Sequence, residues 1–274
     1  MIRLDRLAQG MARRIRRLQA RVRDPITPKD LADALRAVVP PGCRGLLVHS
    51  SLARCGYFIG GRARVVGALL RISENLCMPT HTYCYPPSRT SPAPLFDPTR
   101  TLSVVGALTN EFWRMEGVTR SLHPTHSLAA RGPQASFLTA DHETCPTPCG
   151  SGTPYAKMID AGYSVLMLGA SLDAYTLFHT AEHDAGVPYL YEPEPYTLRV
   201  RTPRSSELNV VMLRQDMTVR RRFAEMDEEL LSAGLLRRVS LGKGNVLCIP
   251  DSRGAHEFVV DALRRDSSHL LWRS

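Results

Sequence analysis

Apolar residues fall at helical intervals in some stretches of the chain and run together in others. Over 27–39, TPKDLADALRAVV, they recur every third or fourth position; Thr27 suits an N-cap, Pro28 the first turn, and Pro40, Pro41 and Gly42 end the pattern. LLVHSSL, beginning at Leu46, is a short apolar run entering a polar turn and predicts a buried strand. A helix is predicted over 60–72 (GGRARVVGALLRI) and a strand over 75–79 (NLCMP), followed by a Pro-rich loop at 84–98, too long for a simple connector. SVVGALTNEFWRM, 103–115, predicts a helix with Val104, Leu108, Phe112 and Met115 along one side, and HSLAARG, 126–132, a strand. SVLMLGA at 164–170 is uninterrupted, as a central strand covered on both faces should be. Residues 191–210 turn to Pro, Glu and Arg and predict an excursion that shapes a cleft; NVLCIP, 245–250, is a last strand, and a helix runs through HEFVVDALRRD, 256–266. Strands alternating with helices predict an α/β fold, a layered sheet flanked by helices, forming one domain over 25–274.

The first 24 residues differ. Leu4, Leu7, Met11, Ile15, Leu18 and Val22 make an amphipathic helix, and eight arginines against two aspartates give this segment +6 of the formal net charge of +9. The reading favoured here is a basic helix packed by its apolar stripe; its functional version is a dock for an acidic partner such as an acyl carrier protein. It carries no interleaved aromatics, so a nucleic-acid partner is not expected. No apolar run is long enough to span a bilayer, and the N-terminus has no apolar core of a secretory signal. Cys43, Cys55, Cys77, Cys84, Cys145, Cys149 and Cys248 are odd in number and scattered, which argues for free thiols in the cytoplasm. The Cys145–Cys149 pair lacks the second pair a zinc site would need.

The densest chemistry lies in HTAEHDAG, 179–186. A helix is predicted from Asp173, as N-cap, to Gly186, as stop. With 3.6 residues per turn, Thr176, His179, Glu182 and His183 share one face, while Ala174, Leu177, Phe178, Ala181 and Ala185 share the other. On this reading the apolar face packs and the polar face is presented. A carboxylate three residues after a histidine can fix its tautomer and favour its protonated form, as a general base requires. The same letters fit the H-x-x-E-H zinc-peptidase pattern, with His179 and His183 as ligands, Glu182 as base and Glu257 available as a third ligand. A solvated helix face with an incidental ion pair is the plainest reading. His49 stands where a strand runs into a polar turn, a usual place for catalytic groups in α/β folds.

Six segments widen the view: VHSSL at 48–52, MPTHTY at 78–83, FDP at 96–98, SLHPTHSLAARGP at 121–133, GSGTPYAKMIDAG at 150–162, and D-x-x-T-x-x-H-x-x-E at 173–182. In this order the chain resembles the aminoglycoside 3-N-acetyltransferase family, from about Leu46 to the C-terminal helix. The resemblance implies the antibiotic N-acetyltransferase fold, distinct from GNAT enzymes. It implies acetyl-CoA as co-substrate, no metal, and direct transfer to a primary amine. It makes His179 the base and Glu182 its orienting partner. Attack on a thioester builds negative charge on oxygen, for which Thr176, His49 and backbone N–H groups near Ser50 and Ser51 are candidate donors, and Asp173 is counted with the catalytic group. For the CoA moiety the Ser50–Ser51–Leu52 turn and the helix start at Gly60–Gly61 offer backbone donors and a positive helix end, and the loop carrying Ser121, His123, Thr125, His126 and Ser127 resembles the family's CoA-contacting segment. The alternative for His123 and His126 is that they satisfy the turns of their own loop.

The acceptor is left open. A polycationic aminoglycoside calls for an acidic site, yet loop 84–95 has no acid, and Glu192, Glu194, Glu207 and Asp216 stand among arginines that end in RRRF. Two enzyme readings follow: an antibiotic-modifying acetyltransferase that confers resistance, or a biosynthetic acyltransferase that places another CoA- or carrier-bound acyl group on a less cationic amine. In both the partner is a small-molecule amine, and an oligomer is compatible with either.

Overall fold

A computed structural model describes residues 24–272 of the chain. The basic helix expected over 1–24 lies, but for Asp24, outside the described residues.

The strands are β1 (Gly45–Ser50), β2 (Asn75–Pro79), β3 (Leu95–Phe96), β4 (Thr119–Arg120), β5 (Leu128–Arg131), β6 (Ser164–Leu168), β7 (Tyr196–Arg201), β8 (Glu207–Met212), β9 (Arg237–Leu241) and β10 (Gly244–Ile249). The helices are α1 (Pro28–Val38), α2 (Leu52–Cys55), α3 (Gly61–Leu70), α4 (Ala107–Phe112), α5 (Ala135–Thr139), α6 (Pro154–Asp160), α7 (Leu177–Ala185), α8 (Met226–Ser232) and α9 (Ser252–Arg265). A seven-stranded sheet has the order β4-β5-β2-β1-β6-β10-β9. Its centre, β2-β1-β6, is parallel, and the outer strands pair antiparallel.

The uninterrupted apolar runs follow from this layering. Side chains alternate across a strand, so a strand covered on both sides needs an apolar residue at every position. Leu46, Val48, Leu76, Met78, Leu166 and Leu168 pack on one side with α1, α3 and α4. Leu47, Cys77, Val165 and Met167 pack on the other with α6, α7 and α9. α1 opens with the expected cap: the Asp30 N–H donates to Thr27 Oγ1 (3.1 Å), and the Thr27 N–H donates to Asp30 Oδ2 (2.9 Å). The seven cysteines are buried and free. Among the described residues, no helix is long and apolar enough to cross a membrane.

Three expectations are corrected. The helix predicted over 103–115 shrinks to α4, because Asn110 turns its side chain back onto Ser103 and Gly106 takes φ +140°, a conformation that breaks the helix. The helix predicted from Asp173 begins at Leu177: a short 3-10 turn covers Leu172–Ala174, and Thr176 is the N-cap, with no side-chain cap bond. Gly186 stops it as expected, in the left-handed region at φ +68°. Residues 191–210 shape a separate pocket, lined by Pro195, Tyr196, Thr197, Arg199 and Asn209 with part of the Pro-rich loop, and not the main cleft described below. They supply β7 and β8, which join β3 in a second, three-stranded sheet around Phe96, Leu198, Val200 and Met212. The cleft wall comes from the segment that follows.

Candidate active site

A cleft of about 420 Å³ opens at the carboxyl ends of β1, β2 and β6. His49 and Ser50 enter from β1, Pro79 from β2, His81 just beyond it, Asp173 to Thr176 from the turns after β6, and His179 from α7. Every second residue from Gln215 to Phe223 completes the wall. Gly169 allows the strand ends to meet. It sits at φ +70°, and a Cβ there would stand 2.7 Å from Ser51 O, so the turn after β6 crosses the end of β1 only without a side chain.

The 179–183 stretch resolves into two unlike histidines. His179 lines the cleft, and its Nδ1–H donates to Glu182 Oε2 at 2.7 Å. An ionised carboxylate only accepts, so this bond leaves the lone pair of the neutral ring on Nε2. Glu182 is fully buried, and the Arg221 Nε–H donates to its Oε1 at 2.8 Å. Burial works against ionisation of Glu182, but the bonds and charges of His179 and Arg221 outweigh it and hold the carboxyl below its ordinary value. The predicted polar face of the helix is therefore not presented to solvent: Glu182 and Thr176 lie inside, because the 215–223 segment folds over them and brings in Arg221. That segment is pinned at both ends, by the Asp216 N–H on Leu190 O and the Arg222 N–H on Leu270 O. His183 turns elsewhere, its Nδ1 3.0 Å from the Tyr191 hydroxyl. Among the described residues, no group of three His, Cys, Asp or Glu stands close enough to hold a metal ion.

Around His179 stand three groups singled out in the sequence. His49 is buried on the same side of the sheet as α7; burial lowers its pKa to about 3, so it is neutral, and its Nε2 has no hydrogen-bond partner within the chain. Thr176 is buried at the head of α7. Asp173 accepts the Ala224 N–H on Oδ1 at 3.0 Å and the Ser171 hydroxyl on Oδ2 at 3.2 Å, while lining the cleft.

The residues expected around CoA distribute differently. Ser50 and His126 line the cleft. The Ser51 N–H is taken by Leu168 O (2.9 Å) and the Gly61 N–H by Phe58 O (3.0 Å). Ser51, Leu52, Gly60 and Gly61 do not line the cleft, nor do Ser121, His123, Thr125 and Ser127, which are buried in a hydrogen-bonded layer beneath it. There His123 Nδ1 accepts the N–H groups of Thr125 (3.3 Å) and His126 (2.9 Å), holding its own loop. Ser121 shares a 2.8 Å bond with His142 Nδ1, and the Ser127 hydroxyl donates to Thr80 O.

Arg221 and His81 are among the cleft residues that were not anticipated. Arg221 lies 39 positions from Glu182, beyond any local spacing rule. His81, inside the MPTHTY segment, joins a chain of hydroxyls: the Tyr83 O–H donates to its Nδ1 (3.2 Å), its Nε2–H donates to the Tyr155 hydroxyl (2.8 Å), and the Tyr155 O–H donates to His126 O (3.1 Å). The His81 and His126 rings are 4.5 Å apart, and those of His123 and His142 4.3 Å. Burial, with mutual repulsion secondary, pushes the pKa of His81, His123 and His142 far down and that of His126 to about 3, so this group of rings is neutral.

A mixed sheet with a carboxylate-held histidine at its carboxyl edge is an arrangement of α/β enzymes that work by general-base chemistry. The sequence profile of the aminoglycoside 3-N-acetyltransferase family matches residues 47–264, and the chain belongs to that family. It is similar to aminoglycoside N(3)-acetyltransferase VII of Streptomyces paromomycinus, 33% identical in an alignment of 183 positions that covers 60% of this chain and 62% of that protein. The match thus spans less than two thirds of that relative's length. Among solved structures, aminoglycoside acetyltransferase AAC(3)-Xa superposes with a TM-score of 0.80 at 25% identity, over 94% of this chain and 99% of that one. AAC-IIIb, in a binary structure with CoASH, superposes at 0.77 with 26% identity, over 92% and 100% of the two chains.

Proposed function

We propose that the chain is an acetyl-CoA-dependent N-acyltransferase that acylates a primary amine of an aminoglycoside or a related aminated metabolite by direct transfer. The observation that carries this reading is the His179–Glu182–Arg221 chain at the cleft. The names of the relatives, and the CoA bound to one of them, support it.

An amine is protonated at neutral pH and must lose a proton before it can attack. Nε2 of His179 is the atom for this, since its Nδ1–H is committed to Glu182. The amine nitrogen bonds to the thioester carbonyl carbon and the carbon–sulfur bond breaks. The proton collected on Nε2 passes to the departing thiolate, so an ammonium and acetyl-CoA yield an amide, free CoA and one proton. Arg221 keeps Glu182 ionised, and Glu182 stabilises the imidazolium while the proton is held. Negative charge builds on the thioester oxygen and needs a donor aimed at it. His49, with a buried Nε2 that lacks a partner, fits this need as its Nε2–H tautomer, and the Thr176 hydroxyl is the second candidate. The deciding experiment pairs steady-state release of CoA with titration of CoA into His179→Ala. Loss of turnover with CoA binding retained is expected; turnover at the parent rate would remove His179 from the role.

A further inference from the structure

The cleft carries little charge to match a polycation. Among the described residues that line it, Asp173 is the only carboxylate and Arg221 the only cation. The acids nearby are already engaged. Glu182 is buried between His179 and Arg221, Glu192 is held by Arg89 (2.9 Å) and Arg214 (3.3 Å), and Asp216, which accepts the N–H and hydroxyl of Thr218 on Oδ1, does not line the cleft. What the cleft offers instead is apolar: Val105, Tyr83, Met217, Val219 and Phe223 line it. Met217 is 67% exposed, and Val104, tied through its N–H to His81 O, stands 64% exposed beside Val105. Tyr83 is held in the left-handed region at φ +48°, a conformation that costs a bulky residue about 1–3 kcal/mol and persists only where the surroundings enforce it. Here its N–H on Thr125 O and its hydroxyl on His81 do so, fixing an aromatic ring at the cleft.

We infer that the acceptor is a primary amine with a single positive charge and an apolar, ring-bearing body, not a polycationic aminoglycoside. Asp173 meets the one ammonium, and the Tyr83–Val105–Met217–Val219 wall takes the body, which gains by leaving water, while a polycation would lose the hydration of several charges with a single lining carboxylate to replace it. The inference rests on the acyltransferase reading above and narrows its acceptor.

The test compares CoA release from acetyl-CoA with 2-phenylethylamine or tryptamine against neomycin and gentamicin, using the full chain. The arylalkyl monoamines should exceed the aminoglycosides in kcat/KM by about tenfold or more, the discrimination that small apolar contacts supply. Met217→Glu, at an exposed position, should lower the KM for neomycin up to about fivefold, the range of one exposed ion pair, and by more than Met217→Gln does. Equal or better use of neomycin by the parent chain overturns the inference and leaves the transferase reading standing. Transfer to no amine also overturns it; CoA titration then separates the two ideas, since retained CoA binding keeps the donor half of that reading, and its absence removes both.

Discussion

Two groups of histidines lie within one wall of each other and could hardly be more different. His179 is half-buried, and a carboxylate that is itself held by an arginine fixes its Nδ1. His81, His123, His126 and His142 are buried, have no carboxylate among their hydrogen-bond partners here, and bond to hydroxyls and backbone N–H groups instead. The same side chain is held by a buried carboxylate in one place and is a neutral structural ring in the other. Burial alone removes the charge.

Acid should break the contrast most forcefully. The buried rings hold folded-state pKa values far below the ordinary 6.5, so as pH falls below 6.5 the unfolded chain takes up protons that the folded chain refuses. His49 and His126, with values of about 3, each remove about 1.4 kcal/mol of stability per pH unit between roughly 6.5 and 3, and His81, His123 and His142 act in the same direction. Glu182 acts in a later window: its folded pKa lies below its ordinary 4.5, so its contribution is present above 4.5 and is lost as pH drops through the lowered value. Urea unfolding at pH 7, 6 and 5 should show a steep early loss, and His142→Phe should make it shallower. A flat profile down to pH 5 would mean that the rings titrate freely.

The next largest effect separates the groups by rate. His179→Ala should lower kcat by about 1,000-fold, within the range of general-base contributions. His142→Phe should leave kcat within about twofold and cost roughly 1 kcal/mol of stability through the lost bond to Ser121. Comparable rate losses in both variants would erase the distinction. Arg221→Ala leaves a buried carboxylate with one partner fewer and should cost about 3 kcal/mol, read as a shift in the urea midpoint. Smallest is Tyr155→Phe, which unlinks His81 from His126 O; about 1 kcal/mol of stability and little change in kcat are expected, and a large fall in kcat would bring the ring cluster into the chemistry.

What was legible in the chain follows the range of the interactions. β2 and β6 coincide with apolar runs marked in advance because a strand buried on both faces announces itself locally. His179 and Glu182 could be paired because three residues bring them to one side of a turn. Arg221 could not, because its approach depends on residues 215–223 folding back over α7, and no periodicity encodes that. Asp173 looked like a cap by residue type, but its carboxylate serves Ala224, 51 residues on. The helix at 103–115 failed for a nearer reason: the Asn110 side chain competes with the backbone for Ser103.

The 215–223 segment turns Met217 and Val219 toward the cleft and, two residues further, Arg221 toward Glu182. One strip of chain therefore carries both a wall of the cleft and the arginine that holds Glu182. On the proposed acyltransferase reading, exchanging Met217 or Val219 would change which amine is favoured while Arg221 kept Glu182 in place. Recognition could then be redrawn while the chemistry is inherited.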